Sequence, residues 1–172
     1  GDDDFGYMKR LSNAEEQKRS GRSGVYYHLS YWGPPMNFLW INTNPPVQMY
    51  TELKRAYDTT ADRIWLANVG DIKPAENALS LFLDMAWDID AFTVENVGFY
   101  YANTLSKYFG EQHRDALQHI FDEYFSLAFA RKPEHMQHHL EQHFAEDNYH
   151  EAERRTARYA AISAEADAIY AQ

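Results

Sequence analysis

The stretch from residue 24 to residue 69 constrains the fold more than any other part of the sequence, because it follows the pattern strand, helix, strand. Residues 24–31 are rich in β-branched and aromatic side chains, which is typical of a strand. Residues 46–59 place apolar side chains at helical spacing, and residues 61–69 form a second apolar segment of strand length. Two strands joined through a helix run in the same direction. The sequence therefore predicts a βαβ unit with parallel strands.

A parallel sheet needs cover on both faces, and two strands alone do not form a stable sheet. We therefore expect the chain to be a piece of a larger protein, with an α/β part at residues 1–75. Residues 76–172 have the pattern of nearly continuous helix, so the predicted fold class is α/β followed by all-α. Helices are predicted at about 46–59, 75–87, 94–109, 111–130, 134–145 and 149–170, with capping residues at Ser12, Thr93 and Asn148.

Composition excludes several kinds of function. The chain of 172 residues contains no cysteine, which excludes disulfides, thiolate metal sites and cysteine nucleophiles. Sixteen Lys and Arg against 26 Asp and Glu give a net charge of −10, and the basic residues are scattered, so we expect no nucleic-acid partner. No apolar run approaches the length of about 18 residues that a membrane helix requires, so we expect no membrane partner.

Polar residues follow each of three predicted strand ends. Asp2 and Asp3 stand at the end of a first strand, His28 stands at the end of the second, and Asn68 and Asp71 follow the third. Active sites of α/β barrels and open α/β sheets form beyond the carboxyl ends of the strands. Glycoside hydrolysis needs one carboxylic acid that protonates the leaving oxygen and a second carboxylate that activates water or attacks. The pattern therefore indicates a hydrolytic site for sugars.

Each of these residues also has a structural interpretation. Asp71 is suited to cap the helix that follows it, and Asp2 and Asp3 are suited to an acidic terminus. A histidine such as His28 on an apolar strand is more often a hydrogen-bonded core residue than a catalyst. The loop over residues 33–46 is long for a compact domain, and loops of that length are usually functional rather than bare connections.

A histidine cluster offers a second candidate site. His135, His139 and His143 are spaced four residues apart and share one helix face, with His138 beside them, so a pair of them could chelate a metal ion. The arrangement lacks the glutamate that zinc peptidases place between their paired histidines, because Glu141 stands at another offset. A solvated helix face is the interpretation that we favour.

Several motifs in order resemble one enzyme family. Residues 2–11, Asp-Asp-Asp-Phe-Gly-Tyr-Met-Lys-Arg-Leu, resemble the motif Asp-Asp-Asn-aromatic-Gly-aromatic-x-basic-Arg-Leu of glycoside hydrolase family 115, the xylan α-1,2-glucuronidases. The further matching segments are Arg19-Ser-Gly21, Gly24-Val-Tyr-Tyr-His28, Trp40-Ile-Asn-Thr43, Asp62-Arg-Ile-Trp65, Asn68-Val-Gly-Asp-x-Lys-Pro74 and Asn148-Tyr-x-Glu-Ala-Glu-Arg154. The departures are Asp4 where Asn is usual, Lys9 in place of Arg, and Arg22-Ser23 in a normally Gly-Ala-like place.

The resemblance implies an inverting, exo-acting enzyme that removes glucuronic acid or its 4-O-methyl form from glucuronoxylan. It implies that residues 1–75 are the C-terminal part of a TIM-like catalytic barrel and that residues 76–172 are the helical bundle domain after it. It also implies action outside the cytoplasm, as a secreted or periplasmic protein, with no cofactor and no metal.

The strand ends and the resemblance together give a set of candidate residues. They are Asp2, Asp3 and Asp71 for catalysis, and Tyr7, Arg10, His28, Trp40, Asn42, Asn68 and Lys73 for substrate binding. The competing hypothesis is a non-catalytic segment for carbohydrate binding or dimerisation, in which the helical half does the work. A homodimer through the helical domain is compatible with either hypothesis.

Overall fold

The fold is described from a computed structural model, which gives residues 1–31, 41–130, 132 and 146–172. Four sequence predictions lie wholly or largely outside these residues: the helix over 134–145, the histidine cluster within it, the position of Trp40, and residues 33–40 of the predicted functional loop. The described residues divide into two compact units, Gly1–Gly98 and Phe99–Gln172.

The predicted βαβ unit is present, and its strands are parallel. Strand β3 (Val25–His28) leads through helix α1 (Pro46–Asp58) to strand β4 (Trp65–Asn68). The two strands pair so that Val25 lies opposite Trp65 and His28 lies opposite Asn68. The helix begins with a proline, whose fixed φ and missing N–H suit the first turn.

The N-terminal residues form a short hairpin beside this unit. Strands β1 (Asp3–Asp4) and β2 (Tyr7–Met8) pair antiparallel, and the turn between them has positive φ at Phe5 (48°) and Gly6 (89°). Just before β1, Asp2 forms a parallel bridge with Tyr26 of β3. The start of the chain is therefore a neighbour of β3 on the side away from β4.

Three side chains of α1 hold the hairpin backbone. Gln48 Nε2 donates to the carbonyl oxygen of Phe5 at 3.1 Å. Glu52 Oε2 accepts from the backbone N–H of Met8 at 2.8 Å, and Arg55 donates both to the Met8 carbonyl at 3.0 Å and to Glu52 at 2.6 Å. Positions 48, 52 and 55 are four and three residues apart, so they share one face of the helix. This face fixes the hairpin on the unit.

One face of the β3–β4 pair carries the core, and the other is open. Val25 and Tyr27 are buried, and helix α2 (Glu76–Trp87) covers their face through Phe82, whose ring lies 6.2 Å from that of Tyr27. On the opposite face Tyr26 is 40% exposed and Leu66 is 57% exposed. His28 and Asn68 lie on that open face as well, because side chains alternate along a strand.

Helix α2 therefore packs within the first compact unit, which ends at Gly98. The physical reason is the burial of Phe82 against Tyr27 and Trp65, with ring distances of 6.2 and 5.7 Å. A 3₁₀ helix (Ile89–Ala91) and helix α3 (Val94–Val97) complete this unit. The assignment of residues 1–75 to a barrel stays a prediction.

The capping predictions have mixed outcomes. Thr93 and Asn96 form a complete capping box at α3, which confirms the N-cap predicted at Thr93. The box predicted at Ser12 is shifted by one residue: Asn13 and Glu16 exchange the reciprocal bonds, at 2.9 and 3.0 Å, around the 3₁₀ helix Glu16–Lys18. Asn148 lies inside a helix that includes Glu146, so it is not an N-cap.

The second unit is helical, as predicted. It contains α4 (Tyr100–Phe109), the 3₁₀ helix Glu111–His113, α5 (Arg114–Ala130) and α6 (Glu146–Tyr170). Gly110, with φ of 112°, ends α4. Ala102, Leu117 and Ile169 form a buried cluster from α4, α5 and α6. A hydrogen bond between His119 Nδ1 and Glu165 Oε2, 3.0 Å apart, joins α5 to α6. Among the described residues, no helix has the length and apolar character needed to cross a membrane.

Candidate active site

The carboxyl ends of neighbouring strands bring several of the predicted site residues together. Asp2 lies beside Tyr26, and His28 lies opposite Asn68, so the first and third strand ends flank the second. Two of the three predicted catalytic carboxylates, Asp2 and Asp3, share this edge with His28.

Asp3 is the centre of the cluster, and its side chain is 0% exposed. Its Oδ1 accepts from the backbone N–H of His28 at 2.8 Å and lies 2.8 Å from His28 Nδ1. Its Oδ2 accepts from the backbone N–H of Gly6 at 3.0 Å and from the hydroxyl of Tyr31. A carboxylate has about four acceptor positions, so these four contacts occupy all of them. These hydrogen bonds offset the free-energy cost of burying the carboxylate.

Tyr31 and Asn44 complete the network around Asp3. Asn44 Nδ2 donates to the hydroxyl oxygen of Tyr31 at 3.2 Å and to the carbonyl oxygen of His28 at 3.1 Å. Burial raises the pKa of Tyr31 well above its ordinary value, and the nearby Asp3 carboxylate raises it further. The Tyr31 hydroxyl therefore keeps its proton and donates it to Asp3 Oδ2. The Tyr31 ring also stacks between those of Phe5 and His28, at 4.5 and 5.2 Å.

Asp3 holds the His28 ring in place, but the ring remains partly exposed to solvent. Its side chain is 17% exposed, and the ring lies edge-on to that of Tyr26 at 4.6 Å. The structural interpretation of a hydrogen-bonded histidine therefore holds for Nδ1. Among the described residues, none forms a hydrogen bond with Nε2.

Asp2 is far more exposed than Asp3. Its side chain is 65% exposed, and its Oδ1 lies 3.7 Å from His28 Nδ1. The nearest carboxylate oxygens of Asp2 and Asp3 are no more than 4.8 Å apart. Inverting glycosidases separate their acid and base by about 6.5–9.5 Å to admit a water molecule. Asp2 and Asp3 are therefore too close to be the two partners of an inverting reaction.

Asp2, Asp3 and His28 also have the composition of a metal site, since one ligand atom from each lies within 4.8 Å of the others. The donor set does not fit this use. The oxygens of Asp3 already accept four hydrogen bonds, and the Nδ1 edge of His28 is turned to Asp3. We assign no metal to these residues.

The third strand end is more open. Asn68 Nδ2 donates to the hydroxyl of Tyr26 at 2.6 Å, which links β4 to β3 across the open face. Asp71 is exposed in the turn before α2, where Ala75 is the N-cap and has no side-chain bond, so the capping interpretation of Asp71 is wrong. Lys73 is exposed and pairs with Glu76 at 2.6 Å.

The remaining candidates lie around the hairpin and the loop. Tyr7 is exposed on β2, opposite Asp4. Arg10 pairs with Glu16 at 2.5 Å and is 75% exposed. Asn42 Oδ1 accepts from the backbone N–H of Asn44 at 3.2 Å, so it shapes the loop. Exposed ion pairs such as that of Arg10 contribute little stability, which leaves the cation free to bind a ligand instead.

Sequence reasoning missed the residues that hold the site in place. Tyr31, Asn44 and Glu52 were not among the candidates, although Glu52 carried a signal. It is a carboxylate on the apolar side of α1, next to the buried Leu53, and it is itself buried. A charged group in such a place requires a specific partner.

Comparisons with known proteins identify the family of the chain. The family model of glycosyl hydrolase family 115 matches residues 1–135. No curated protein sequence matches the chain. One solved structure, described as a novel family GH115 4-O-methyl-α-glucuronidase with specificity for decorated arabinogalactans, is 35% identical and superposes with a TM-score of 0.83. The match covers 98% of this chain and 23% of that chain, so the chain spans about a quarter of the length of this relative. The resemblance seen in the motifs is thereby confirmed, and the chain belongs to glycosyl hydrolase family 115.

Proposed function

We propose that the full-length protein is a glycoside hydrolase that releases glucuronic acid or its 4-O-methyl form from polysaccharide side chains. The observation that carries this proposal is the 35% identity over 98% of the chain to a 4-O-methyl-α-glucuronidase. The cluster of Asp2, Asp3 and His28 at the carboxyl ends of parallel strands supports it, because catalytic groups of α/β enzymes gather there.

We propose further that the first unit is part of a TIM-like barrel. The parallel strands and the cover of one face by α2 are compatible with a barrel wall, whose helices lie outside. The open face would then line the barrel interior. Leu66 and Tyr26 would pack against other strands of the barrel, and His28 and Asn68 would stand at the rim where substrates bind.

An inverting mechanism needs a second carboxyl group at a suitable distance. Asp2 is the exposed carboxylate of the cluster, and it is the residue of this chain that we propose as acid or base. Its partner would be supplied by another part of the protein, since Asp3 is too close and fully hydrogen-bonded.

A uronic acid carries a carboxylate, which a nearby cation would bind. Lys73 and Arg10 are the candidates, and both are exposed cations held only in surface ion pairs. Tyr7, Asn42, Asn68 and Trp40 are the further proposed substrate contacts.

Two polymers are candidates for the substrate that carries the uronic acid. The family resemblance implies an α-1,2 linkage to xylan, whereas the solved relative is described as specific for decorated arabinogalactans. We propose glucuronoxylan as the substrate and arabinogalactan as the alternative. From the family resemblance we propose that the enzyme acts as a secreted or periplasmic protein.

Product analysis tests the proposal. Purified full-length protein is incubated with aldouronic acids, polymeric glucuronoxylan and decorated arabinogalactan, and released uronic acid is separated by chromatography. The anomer formed first, followed by NMR, distinguishes inversion from retention. Release of the uronic acid is expected. Binding of these saccharides without release would instead favour the non-catalytic hypothesis.

Two variant pairs test the residue roles. Asp2→Asn should lower turnover by about a hundredfold or more, whereas Asp4→Asn, at an exposed carboxylate paired with Lys9 at 3.3 Å, should not. Lys73→Ala should penalise glucuronides far more than neutral α-glucosides. Its matched control is Lys18→Ala, since Lys18 forms an ion pair of the same spacing with Glu15. Equal losses on charged and neutral substrates would assign Lys73 a structural role.

A further inference from the structure

The contact between Asp3 and His28 determines which edge of the imidazole ring faces away from the protein network. Asp3 Oδ1 accepts from the His28 backbone N–H and lies 2.8 Å from Nδ1. A carboxylate accepts at this distance, so Nδ1 carries the proton. In the neutral ring the lone pair then resides on Nε2, at the opposite edge.

Asp3 cannot turn away from this contact without losing other bonds. Gly6 N–H, at 3.0 Å, and the Tyr31 hydroxyl donate to its second oxygen. Asn44 donates to the Tyr31 oxygen, and the Tyr31 ring stacks on His28 at 5.2 Å. The carboxylate is therefore fixed in position, and with four donors it has no acceptor position left for a proton from a substrate or a water molecule.

We propose that Asp3 is a positioning residue that acts through His28, and that His28 Nε2 accepts a hydrogen bond from a hydroxyl group of the sugar. This inference rests on the proposed function, because it takes the ligand to be a saccharide that carries a uronic acid. It separates the roles of the two neighbouring aspartates: Asp2 is the exposed carboxylate, and Asp3 fixes the tautomer and the direction of the ring.

A double-mutant cycle in the full-length enzyme tests the coupling. Asp3→Asn and His28→Asn should each lower kcat/KM by about a hundredfold, which is typical when a group at the reacting centre is misplaced. The kcat/KM of the double variant should lie no more than about threefold below that of the less active single variant. The losses are then not additive, as is typical of residues that act as a unit. A hundredfold loss for Asp3→Asn that persists in the His28→Asn background would overturn the proposal, since Asp3 would then act on the substrate directly.

The tautomer of the His28 ring can be measured, and it would not change if Asp3 had only a structural role. In ¹⁵N-histidine spectra at neutral pH, the His28 signal of the wild-type enzyme is identified by its absence in His28→Asn. This signal should show a protonated Nδ1 and an unprotonated Nε2. Asp3→Asn should convert this signal to the Nε2–H form or a mixture, and Asp4→Asn should leave it unchanged. A His28 signal with the proton on Nε2 in the wild type would refute the inference.

If Asp3→Asn does not fold, a second pair of variants keeps the test intact. The amide nitrogen of asparagine takes the place of Nδ1 and can donate to Asp3, but asparagine has no atom in the place of Nε2. The amide oxygen of glutamine can take the place of Nε2 as an acceptor. With Asp3 unchanged, His28→Asn should fold and lose about a hundredfold in kcat/KM, while His28→Gln should retain more activity. Full activity in His28→Asn would refute the role of Nε2.

The outcomes separate this inference from the proposed function. A wild type that releases no uronic acid contradicts the proposed function, while the NMR result still decides the role of Asp3 in fixing the ring. A wild type that is active but shows additive losses in the cycle contradicts the inference alone.

Discussion

Replacing Glu52 by alanine removes the buried carboxylate that holds the N-terminal hairpin on α1. Glu52 Oε2 accepts from Met8 N–H at 2.8 Å and from Arg55 at 2.6 Å. The hairpin in turn places Asp2 and Asp3 beside β3. We therefore expect the substitution to loosen the site from a distance, without any contact between Glu52 and the substrate.

The magnitude follows from what each partner loses. Met8 is buried, so its N–H is left without an acceptor, which costs about 1–3 kcal/mol. Arg55 is 52% exposed and can return to water, so its charge adds little to that cost. Glu52→Ala should then destabilise the closed hairpin by about 2 kcal/mol. Glu52→Gln keeps an acceptor but loses the charge, and should cost about 1 kcal/mol.

Hydrogen exchange at the Met8 amide measures this local opening directly, because a hairpin can open without global unfolding. A loss of about 2 kcal/mol corresponds to roughly thirtyfold faster exchange, and about 1 kcal/mol to roughly fivefold. Glu15→Ala is the matched control, since it removes a carboxylate from an exposed ion pair with Lys18. Unchanged exchange at Met8 in Glu52→Ala would show that the clamp does not hold the hairpin and would refute the reasoning.

Three further predictions concern the same unit. Burial and the Asp3 carboxylate raise the pKa of Tyr31, so the folded protein keeps a proton that the unfolded chain releases. The contribution of this proton to the free energy of unfolding is complete below about pH 10 and falls as the pH rises above it. Thermal unfolding between about pH 9 and pH 11 should therefore show a smaller loss of stability in Tyr31→Phe than in the wild type. Gly6→Ala should cost at least about 1 kcal/mol, because φ is 89° and a Cβ would lie 2.6 Å from a side chain of α1, whereas Gly21→Ala meets nothing within 4 Å and should be neutral in the same unfolding assay. Phe82→Ala should cost about 3–5 kcal/mol by loss of buried volume, while Leu83→Ala, at a side chain that is 54% exposed, should cost far less; equal losses would contradict the packing of α2 on the sheet.

The sequence by itself determined the elements whose patterns are local. Alternating and helical spacings are properties of neighbouring residues, so the parallel pairing of β3 with β4 and the helices α1, α2 and α5 were predictable. The strand ends also followed, because the carboxyl ends of parallel strands must meet at one edge. The choice of His28 and Asn68 as neighbours at that edge came from this rule alone.

Tertiary structure decided what those residues do. Asp2 and Asp3 are adjacent and chemically identical, yet one is exposed and the other is buried with four polar contacts from Gly6, His28 and Tyr31, which lie in two separate parts of the chain. The clamp through Glu52 and the packing of Phe82 likewise join segments that are far apart in sequence. The hydrogen-bonding state of a carboxylate depends on which groups surround it in space, and no local pattern contains that information.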